Sequence, residues 1–186
     1  AVVYPRAGNI GGGGFMVYRD HNGFSTSLDF REKASLRAYR DMYLDNTGNA
    51  IDSLSRYGHL SVGVPGSVDG MWTAHQKYGE LAWEKLIKPA RLLAQNGVVL
   101  TPNEANSYNQ FSPIFNHYNS HDHAFNNDVD WVVGDTFIQT DLSNILLAIE
   151  NEGRSGFYEG KTAELIVEEI ISDCGIINED DLSSYQ

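Results

Sequence analysis

The feature that most constrains the fold is the stretch at 9–32, whose pattern predicts a β-hairpin. Its second half alternates strictly between apolar and polar residues, so one side of a strand is largely apolar and the other polar. The first side carries Phe24, Thr26, Leu28 and Phe30, and the second carries Ser25, Ser27, Asp29 and Arg31. The Asp-His-Asn-Gly sequence at 20–23 supplies the turn. The hairpin therefore presents Arg31 on its polar side.

Four consecutive glycines, at 11–14, precede the first strand of this hairpin. Residues without a Cβ allow another backbone or a ligand to approach closely. A Gly-x-Gly-x-x-Gly nucleotide loop would need glycine at Met16, and a strand follows where a phosphate cradle needs a helix. The Gly-Lys-Thr at 160–162 also fails as a phosphate loop, because the required first glycine falls on Ser155. No cofactor is predicted.

Composition excludes several classes of partner. The 186 residues suit one domain, and a net charge of -12 with only 13 Lys and Arg argues against a nucleic-acid partner. No apolar run approaches the roughly 18 residues of a membrane-spanning helix, so no membrane segment is predicted. The single cysteine, Cys174, excludes an intrachain disulfide and is expected to be a small buried residue.

Apolar periodicity and capping residues predict most of the other elements. Helices are expected at 68–78 with Ser67 as N-cap, at 83–96 with a kink or break at Pro89, from Thr101 to about 111, from 142 to about 153, and at 162–172. A short strand is expected within 60–67, ending at the Pro-Gly turn at 65–66, and another at 131–133 inside a long irregular loop at 112–135. Residues 33–45 form either a short helix or an irregular return, and 153–160 a tight connection.

Two groups of residues could carry chemistry. His117, His121 and His123 lie close to Asp122, Asp128 and Asp130 and could bind a metal, but no pair has helical spacing, and a solvated polar loop is the favoured interpretation. Arg31 offers paired donors that match a carboxylate. The alternative for Arg31 is an ion pair with Asp29 or Glu32, which the residues alone favour.

Four motifs in order resemble the large subunit of γ-glutamyltransferases (γ-glutamyltranspeptidases). They are Asn-Ile-Gly-Gly-Gly-Gly-Phe-Met at 9–16, Asp-Phe-Arg-Glu at 29–32, Asp-Met-Tyr-Leu-Asp at 41–45 and Val-Gly-Val-Pro-Gly-Ser-Val-Asp-Gly at 62–70. Later agreement includes Phe-Tyr-Glu-Gly at 157–160 and Glu-Asp-Asp-Leu at 179–182. The likeness spans nearly the whole chain and weakens at 112–130.

The resemblance implies an α+β fold, the αββα sandwich of N-terminal nucleophile hydrolases, made as a precursor that cleaves itself into large and small subunits. The nucleophile would be a threonine beyond Gln186, with its freed amino group as base. Because the chain starts at Ala1 and a helix begins near 178, residues 1–186 are expected to be one partial domain, an incomplete large subunit that is inactive alone. The small subunit of the same precursor would be its partner, and the family suggests a periplasmic or secreted location.

In the family, the Arg of the Asp-x-Arg-Glu motif grips the α-carboxylate of the γ-glutamyl group, so the resemblance assigns that role to Arg31 and reverses the preference for an ion pair. Glu32 would orient Arg31. The family usually has Ala-Pro after that Glu, whereas Lys33-Ala34-Ser35 follows it here, and the loss of the proline is expected to loosen the exit from the strand. The implied substrate is glutathione or a related γ-glutamyl compound; the alternatives are a related acylase acting on glutaryl-cephalosporin or poly-γ-glutamate, and a non-catalytic binding domain.

Overall fold

The computed structural model describes residues 1–5, 7, 9–119 and 122–186. Within this part of the chain the strands form two separate two-stranded antiparallel sheets, β1 with β2 and β3 with β4. The strands are β1 (Gly14–Arg19), β2 (Ser25–Phe30), β3 (Val98–Val99) and β4 (Thr136–Phe137). The helices are α1 (Ser67–Tyr78), α2 (Trp83–Asn96), α3 (Pro102–Tyr118), α4 (Thr140–Glu152), α5 (Ser155–Tyr158), α6 (Gly160–Ser172) and α7 (Glu179–Ser183).

The predicted hairpin is confirmed, with Gly14 opposite Phe30 and Arg19 opposite Ser25. Its turn closes because the Asp20 carboxylate accepts the backbone N–H of Phe24 at 2.8 Å, while Gly23 adopts a φ of 92°. Phe24 was expected on the apolar face, but it precedes the strand and is exposed.

Helix α1 covers one face of this hairpin. The ring of Tyr18 stacks on that of Tyr78 with 3.9 Å between centroids. Gly70 lies directly on Phe30, where a Cβ would sit only 2.1 Å from Cγ of the ring. On the opposite face Phe15 and Val17 are 65% and 82% exposed. The hairpin is therefore packed on one side only.

The main core lies among the helices that follow. Helices α2 and α4 pack together, and the indole N–H of Trp83 donates to the carbonyl of Ile149 at 2.7 Å. Arg91 on α2 donates to the Glu150 carboxylate on α4 at 2.5 Å. A smaller core joins α3 to the β3–β4 sheet through Leu100, Ala105, Tyr108 and Phe137.

Several helix predictions are confirmed with altered ends. The Thr101 cap is a full capping box with Glu104, but α3 continues past 111 to Tyr118. Helix α1 begins one residue earlier than expected, so Gly66 and not Ser67 occupies the cap position. Pro89 does not divide α2 into two helices, because packing against α4 holds the helix together across the missing hydrogen bond.

The strand predictions outside the hairpin were wrong. Residues 60–67 contain the end of a 3₁₀ turn, His59–Ser61, and a single β-bridge from Val64 to Lys33. The short strand expected at 131–133 lies instead at Thr136–Phe137, where it pairs with Val98–Val99. For 33–45 the irregular alternative is confirmed, and α5 occupies the connection at 153–160.

The segment that follows β2 is hydrogen-bonded to α7. The sequence had predicted a looser exit from the strand, because Ser35 stands in a segment where the family usually has a proline. The buried hydroxyl of Ser35 lies 2.7 Å from Oδ2 of Asp181, and the backbone N–H of Leu36 donates to Oδ1 at 2.7 Å. The same carboxylate caps α7 by accepting the Asn178 N–H at 3.0 Å. One buried Asp thus holds both segments, a role that proline at position 35 could not share through its side chain.

Cys174 is exposed, so the expectation of a small buried residue was wrong. It adopts a φ of 61° just after α6, and the following Gly175 makes the close approach, since a Cβ there would lie 2.5 Å from the carbonyl oxygen of Ile170. Among the described residues, no helix combines the length and apolar character that crossing a membrane requires.

The turn at 45–49 is organised by one carboxylate. Oδ1 of Asp45 accepts the hydroxyl of Thr47 at 2.7 Å and the backbone N–H groups of Thr47 and Asn49 at 2.8 and 2.9 Å. These hydrogen bonds, led by that of the Thr47 hydroxyl, lower the pKa of Asp45 from 3.8 to about 2. The ionised carboxylate is therefore the form that the folded turn favours.

We predict that Asp45 titrates near pH 2 in the folded protein, as measured by NMR of its side-chain carboxyl. Because its pKa is lower folded than unfolded, its contribution to stability is present above pH 3.8 and is lost as the pH falls toward 2. Thr47→Val removes the hydroxyl and should move the pKa back toward 3.8. Titration of unmodified Asp45 near pH 4 would contradict this account.

Candidate functional site

Arg31 follows the last residue of β2 and continues the polar side of that strand, as predicted. The alternation of β2 is visible in its burial, since Leu28 and Phe30 are partly buried while Ser27 and Asp29 are exposed. The Arg31 side chain is 64% exposed. It therefore projects from the uncovered face of the hairpin, beside Phe15.

The backbone around Arg31 is held by the glycine run. A Cβ on Gly13 would lie 2.6 Å from the carbonyl oxygen of Phe30 and 2.8 Å from Cα of Arg31. The neighbouring carbonyl of Gly12 accepts the N–H groups of Gly66 and Ser67 at 2.8 and 2.9 Å. The glycine run thus serves close backbone packing, which is one of the two uses predicted for it.

Two further contacts hold the main chain at Arg31 and at Lys33, two residues later. Lys33 and Val64 exchange backbone hydrogen bonds of 3.1 and 2.7 Å. The hydroxyl of Tyr185 donates to the carbonyl of Arg31 itself at 2.6 Å. Arg31 therefore combines a constrained main chain with a solvent-exposed side chain.

The guanidinium has only weak partners among the described residues. Nε of Arg31 lies 3.8 Å from Glu32, and both side chains are substantially exposed, so the pair contributes little to stability. Cζ lies 5.7 Å from the centre of the Phe15 ring. The Asp29 carboxylate accepts the backbone N–H of Arg31 at 3.0 Å. The paired N–H donors thus remain accessible to a carboxylate ligand.

Arg31 lines neither of two sizeable cavities among the described residues. One, of about 700 Å³, lies among aromatic residues of α3 and the loop after it, including Phe115 and Phe125. The other, of about 470 Å³, lies against β2 and includes Asp29, Asp69 and Arg154. Arg31 therefore lies outside both of these cavities, on an exposed face of the hairpin.

A cluster of polar and aromatic side chains lies behind the hairpin. Nε of Arg154 donates to Asp69 at 2.6 Å, and its guanidinium carbon lies 4.5 Å from the centre of the Tyr158 ring. The Tyr158 hydroxyl donates to the carbonyl of Pro65 at 2.8 Å, and its ring stacks on Tyr185 at 5.7 Å. Sequence reasoning missed this cluster, because no local pattern links Arg154 to Asp69, 85 positions away, or Tyr158 to Pro65, 93 positions away.

The histidine group does not assemble into a metal site among the described residues. His117 packs its ring edge-on against Tyr118 at the end of α3, whereas His123 packs against Phe115 and Phe125. His121 lies outside the described residues. The aspartates of this group, at 122, 128 and 130, are exposed.

Comparisons with known proteins point to one family. A family model described as gamma-glutamyltranspeptidase matches residues 1–186. The glutathione hydrolase proenzyme of Pseudomonas sp. (strain A14) is 42% identical over 188 residues, which cover 100% of this chain and 33% of that protein. The chain therefore spans about a third of the length of this relative.

Comparison with solved structures points to the same family. The crystal structure of Helicobacter pylori γ-glutamyltranspeptidase matches with a TM-score of 0.96 at 44% identity and covers 100% of this chain and 54% of that one. Pseudomonas nitroreducens γ-glutamyltranspeptidase complexed with L-DON gives a TM-score of 0.88 at 38% identity, with 100% and 54% covered. The predicted α+β fold, part of an N-terminal nucleophile hydrolase sandwich, is confirmed.

We predict that Gly13→Ala destabilises the protein by about 1–3 kcal/mol, because its methyl group overlaps the backbone beneath Arg31. Gly11→Ala is the matched control, since its Cβ would meet nothing closer than 3.7 Å. It should change the free energy of unfolding by less than about 0.5 kcal/mol. Urea denaturation measures both variants. Equal effects at the two positions would show that the close approach at Gly13 is unimportant.

Proposed function

The chain belongs to the γ-glutamyltranspeptidase family, and from that premise we propose that it forms part of an enzyme that hydrolyses or transfers the γ-glutamyl group of glutathione and related compounds. The name glutathione hydrolase, carried by the Pseudomonas sp. relative, supports this substrate class. In this proposal the chain provides scaffold and a substrate contact, while the nucleophile lies elsewhere in the protein.

The observation that carries the proposal is the accessible guanidinium of Arg31 on a fixed backbone. A γ-glutamyl donor bears an α-carboxylate at the end remote from the scissile amide. A bidentate contact between that carboxylate and Arg31 would contribute about 1.5–3 kcal/mol. The contact binds the remote end of the donor, so it contributes to substrate binding and takes no part in bond making.

Glu32 supports this role as an orienting residue. Its carboxylate lies 3.8 Å from Nε of Arg31, on the same exposed surface. An acidic neighbour at Nε attracts that side of the guanidinium and leaves its terminal N–H groups for substrate. Glu32 would not contact the donor itself.

The chemistry would require a threonine nucleophile whose own α-amino group acts as base, exposed by self-cleavage of a precursor. The word proenzyme in the name of the Pseudomonas sp. relative supports such processing. We place the threonine in a small subunit that covers the uncovered hairpin face, where Phe15 and Val17 are exposed. Residues 1–186 alone would be a partial domain without activity, and the family resemblance favours a periplasmic or secreted enzyme.

We predict that Arg31→Ala in the full-length protein raises the KM for a γ-glutamyl anilide by about 10- to 150-fold, the loss expected for a charge-assisted pair of hydrogen bonds. Self-cleavage should persist, because the contact proposed for Arg31 is with the α-carboxylate of a bound donor, which takes no part in cleavage of the precursor. Arg19→Ala, at the exposed far end of β1, is the matched control and should leave KM unchanged. An unchanged KM for Arg31→Ala would remove the substrate contact from this chain.

The same assay distinguishes γ-glutamyl hydrolysis or transfer from the related acylase activity. A glutaryl anilide lacks the α-amino group of a γ-glutamyl anilide but keeps the carboxylate at the same position. Preference for the γ-glutamyl compound in the unmodified enzyme is the expected result. Arg31→Ala should lower kcat/KM for both anilides, because both carry the carboxylate that Arg31 is proposed to bind. Preference for the glutaryl compound would instead assign the enzyme to acylase chemistry.

A further inference from the structure

We propose that Tyr185 is a positioning residue for substrate binding, which sets the placement of Arg31 through the hydrogen bond from its hydroxyl to the Arg31 carbonyl. The inference rests on the proposed function, because it assumes that Arg31 grips the donor carboxylate. It adds a residue that lies 154 positions away in the sequence and does not itself touch substrate.

The contact is short and sheltered. The hydroxyl oxygen of Tyr185 lies 2.6 Å from the carbonyl oxygen of Arg31, and Tyr185 as a whole is 3% exposed. Burial raises the pKa of Tyr185 above its ordinary value of 10, and the negative charges of Asp69, Asp29 and Glu32 act in the same direction. The phenol therefore keeps its proton and remains a donor throughout the range in which enzymes work.

The ring of Tyr185 is itself held in place. It stacks on Tyr158 with 5.7 Å between centroids and an interplanar angle of 16°. Tyr158 is 1% exposed and is anchored by its hydroxyl to the Pro65 carbonyl at 2.8 Å. Arg154 covers the Tyr158 ring and is paired with Asp69. These contacts leave the Tyr185 hydroxyl little freedom relative to the strand exit.

Gly66 packs closely against the Tyr185 hydroxyl at the point where that hydroxyl reaches the strand. A Cβ on Gly66 would lie 2.1 Å from the Tyr185 hydroxyl oxygen and 2.1 Å from the carbonyl oxygen of Phe30. Glycine at 66 therefore makes room for the hydroxyl between the turn and the strand. Holding the Arg31 carbonyl restrains the ψ torsion of Arg31, one of the two soft backbone torsions of the residue, and so restrains the direction in which its Cα–Cβ bond leaves the strand.

The contact with Arg31 predicts a specific kinetic signature. Tyr185→Phe keeps the stacked ring and removes only the hydroxyl. It should raise the KM for a γ-glutamyl anilide by about threefold to tenfold, the size expected for one hydrogen bond, with kcat within about twofold. Tyr43→Phe, which removes a hydroxyl bonded at 3.3 Å to the Leu60 carbonyl, is the matched control and should leave KM unchanged.

Two readouts separate positioning from a general loss of structure. A 4-aminobutanoyl anilide differs from the γ-glutamyl anilide only in lacking the α-carboxyl group, so Tyr185→Phe should not change its kcat/KM. In an Arg31→Ala background, Tyr185→Phe should likewise add no further loss, because the group that it positions is gone. An equal loss for both anilides, or a loss that persists without Arg31, would overturn the proposal.

The possible failures are distinguishable. If Arg31→Ala leaves KM unchanged, the proposed carboxylate contact fails, and the role of Tyr185 fails with it. If Arg31→Ala raises KM and Tyr185→Phe does not, only the positioning role is wrong. Should Tyr185→Phe not fold, Tyr158→Phe tests the same chain of contacts one step further back. Its smaller rise in KM must also vanish in the Arg31→Ala background, and a rise that persists there would overturn the proposal.

Discussion

Three backbone segments meet at the end of β2 at distances that only glycine allows, and the placement of Arg31 depends on this contact. Gly13 lies against the peptide after Phe30, Gly66 against the carbonyl of Phe30, and Gly70 against its ring. A methyl group at any of the three would come within 2.1 to 2.6 Å of a neighbouring atom. The strand exit is consequently held on several sides, whereas the arginine side chain that follows is not.

Buried polar groups then connect this point to the last elements of the chain. Asp181 bonds the Ser35 segment to α7, and Arg154 joins Asp69 to the carbonyls of Ser183 and Tyr185. In a chain of net charge -12, Asp69 and Asp181 are sheltered by an arginine or by hydrogen-bond donors. A buried carboxylate without such partners would be costly, so these contacts specify where the final helix docks.

Sequence reasoning predicted the structural features that depend on residues close together in the sequence. The hairpin follows from a two-residue period and a turn with its own side-chain cap, and the Thr101–Glu104 capping box was visible as a motif. The strands at 98–99 and 136–137 are two residues each, too short to show a period, and the bridge at Val64 involves one pair. Helix α3 passed its predicted end because Tyr108 and Phe115 pack against the following loop, which no helical pattern encodes.

The candidate site shows the same difference between local patterns, which the sequence reveals, and long-range contacts, which it does not. Arg31 was predicted on the exposed side of β2 from alternation alone, yet Tyr185 carried no signal, since its partner is a main-chain carbonyl far away in sequence. The geometry also limits what Arg31 can do in this setting. An exposed guanidinium binding a carboxylate in water gains at most about 1 kcal/mol, and the larger gain of a charge-assisted pair requires that water be displaced. Because Arg31 is 64% exposed on a face that also exposes Phe15 and Val17, the proposed grip becomes strong only where another surface covers that face. The substrate contact and the covering of the hairpin are therefore one requirement, and neither is met by the described residues alone.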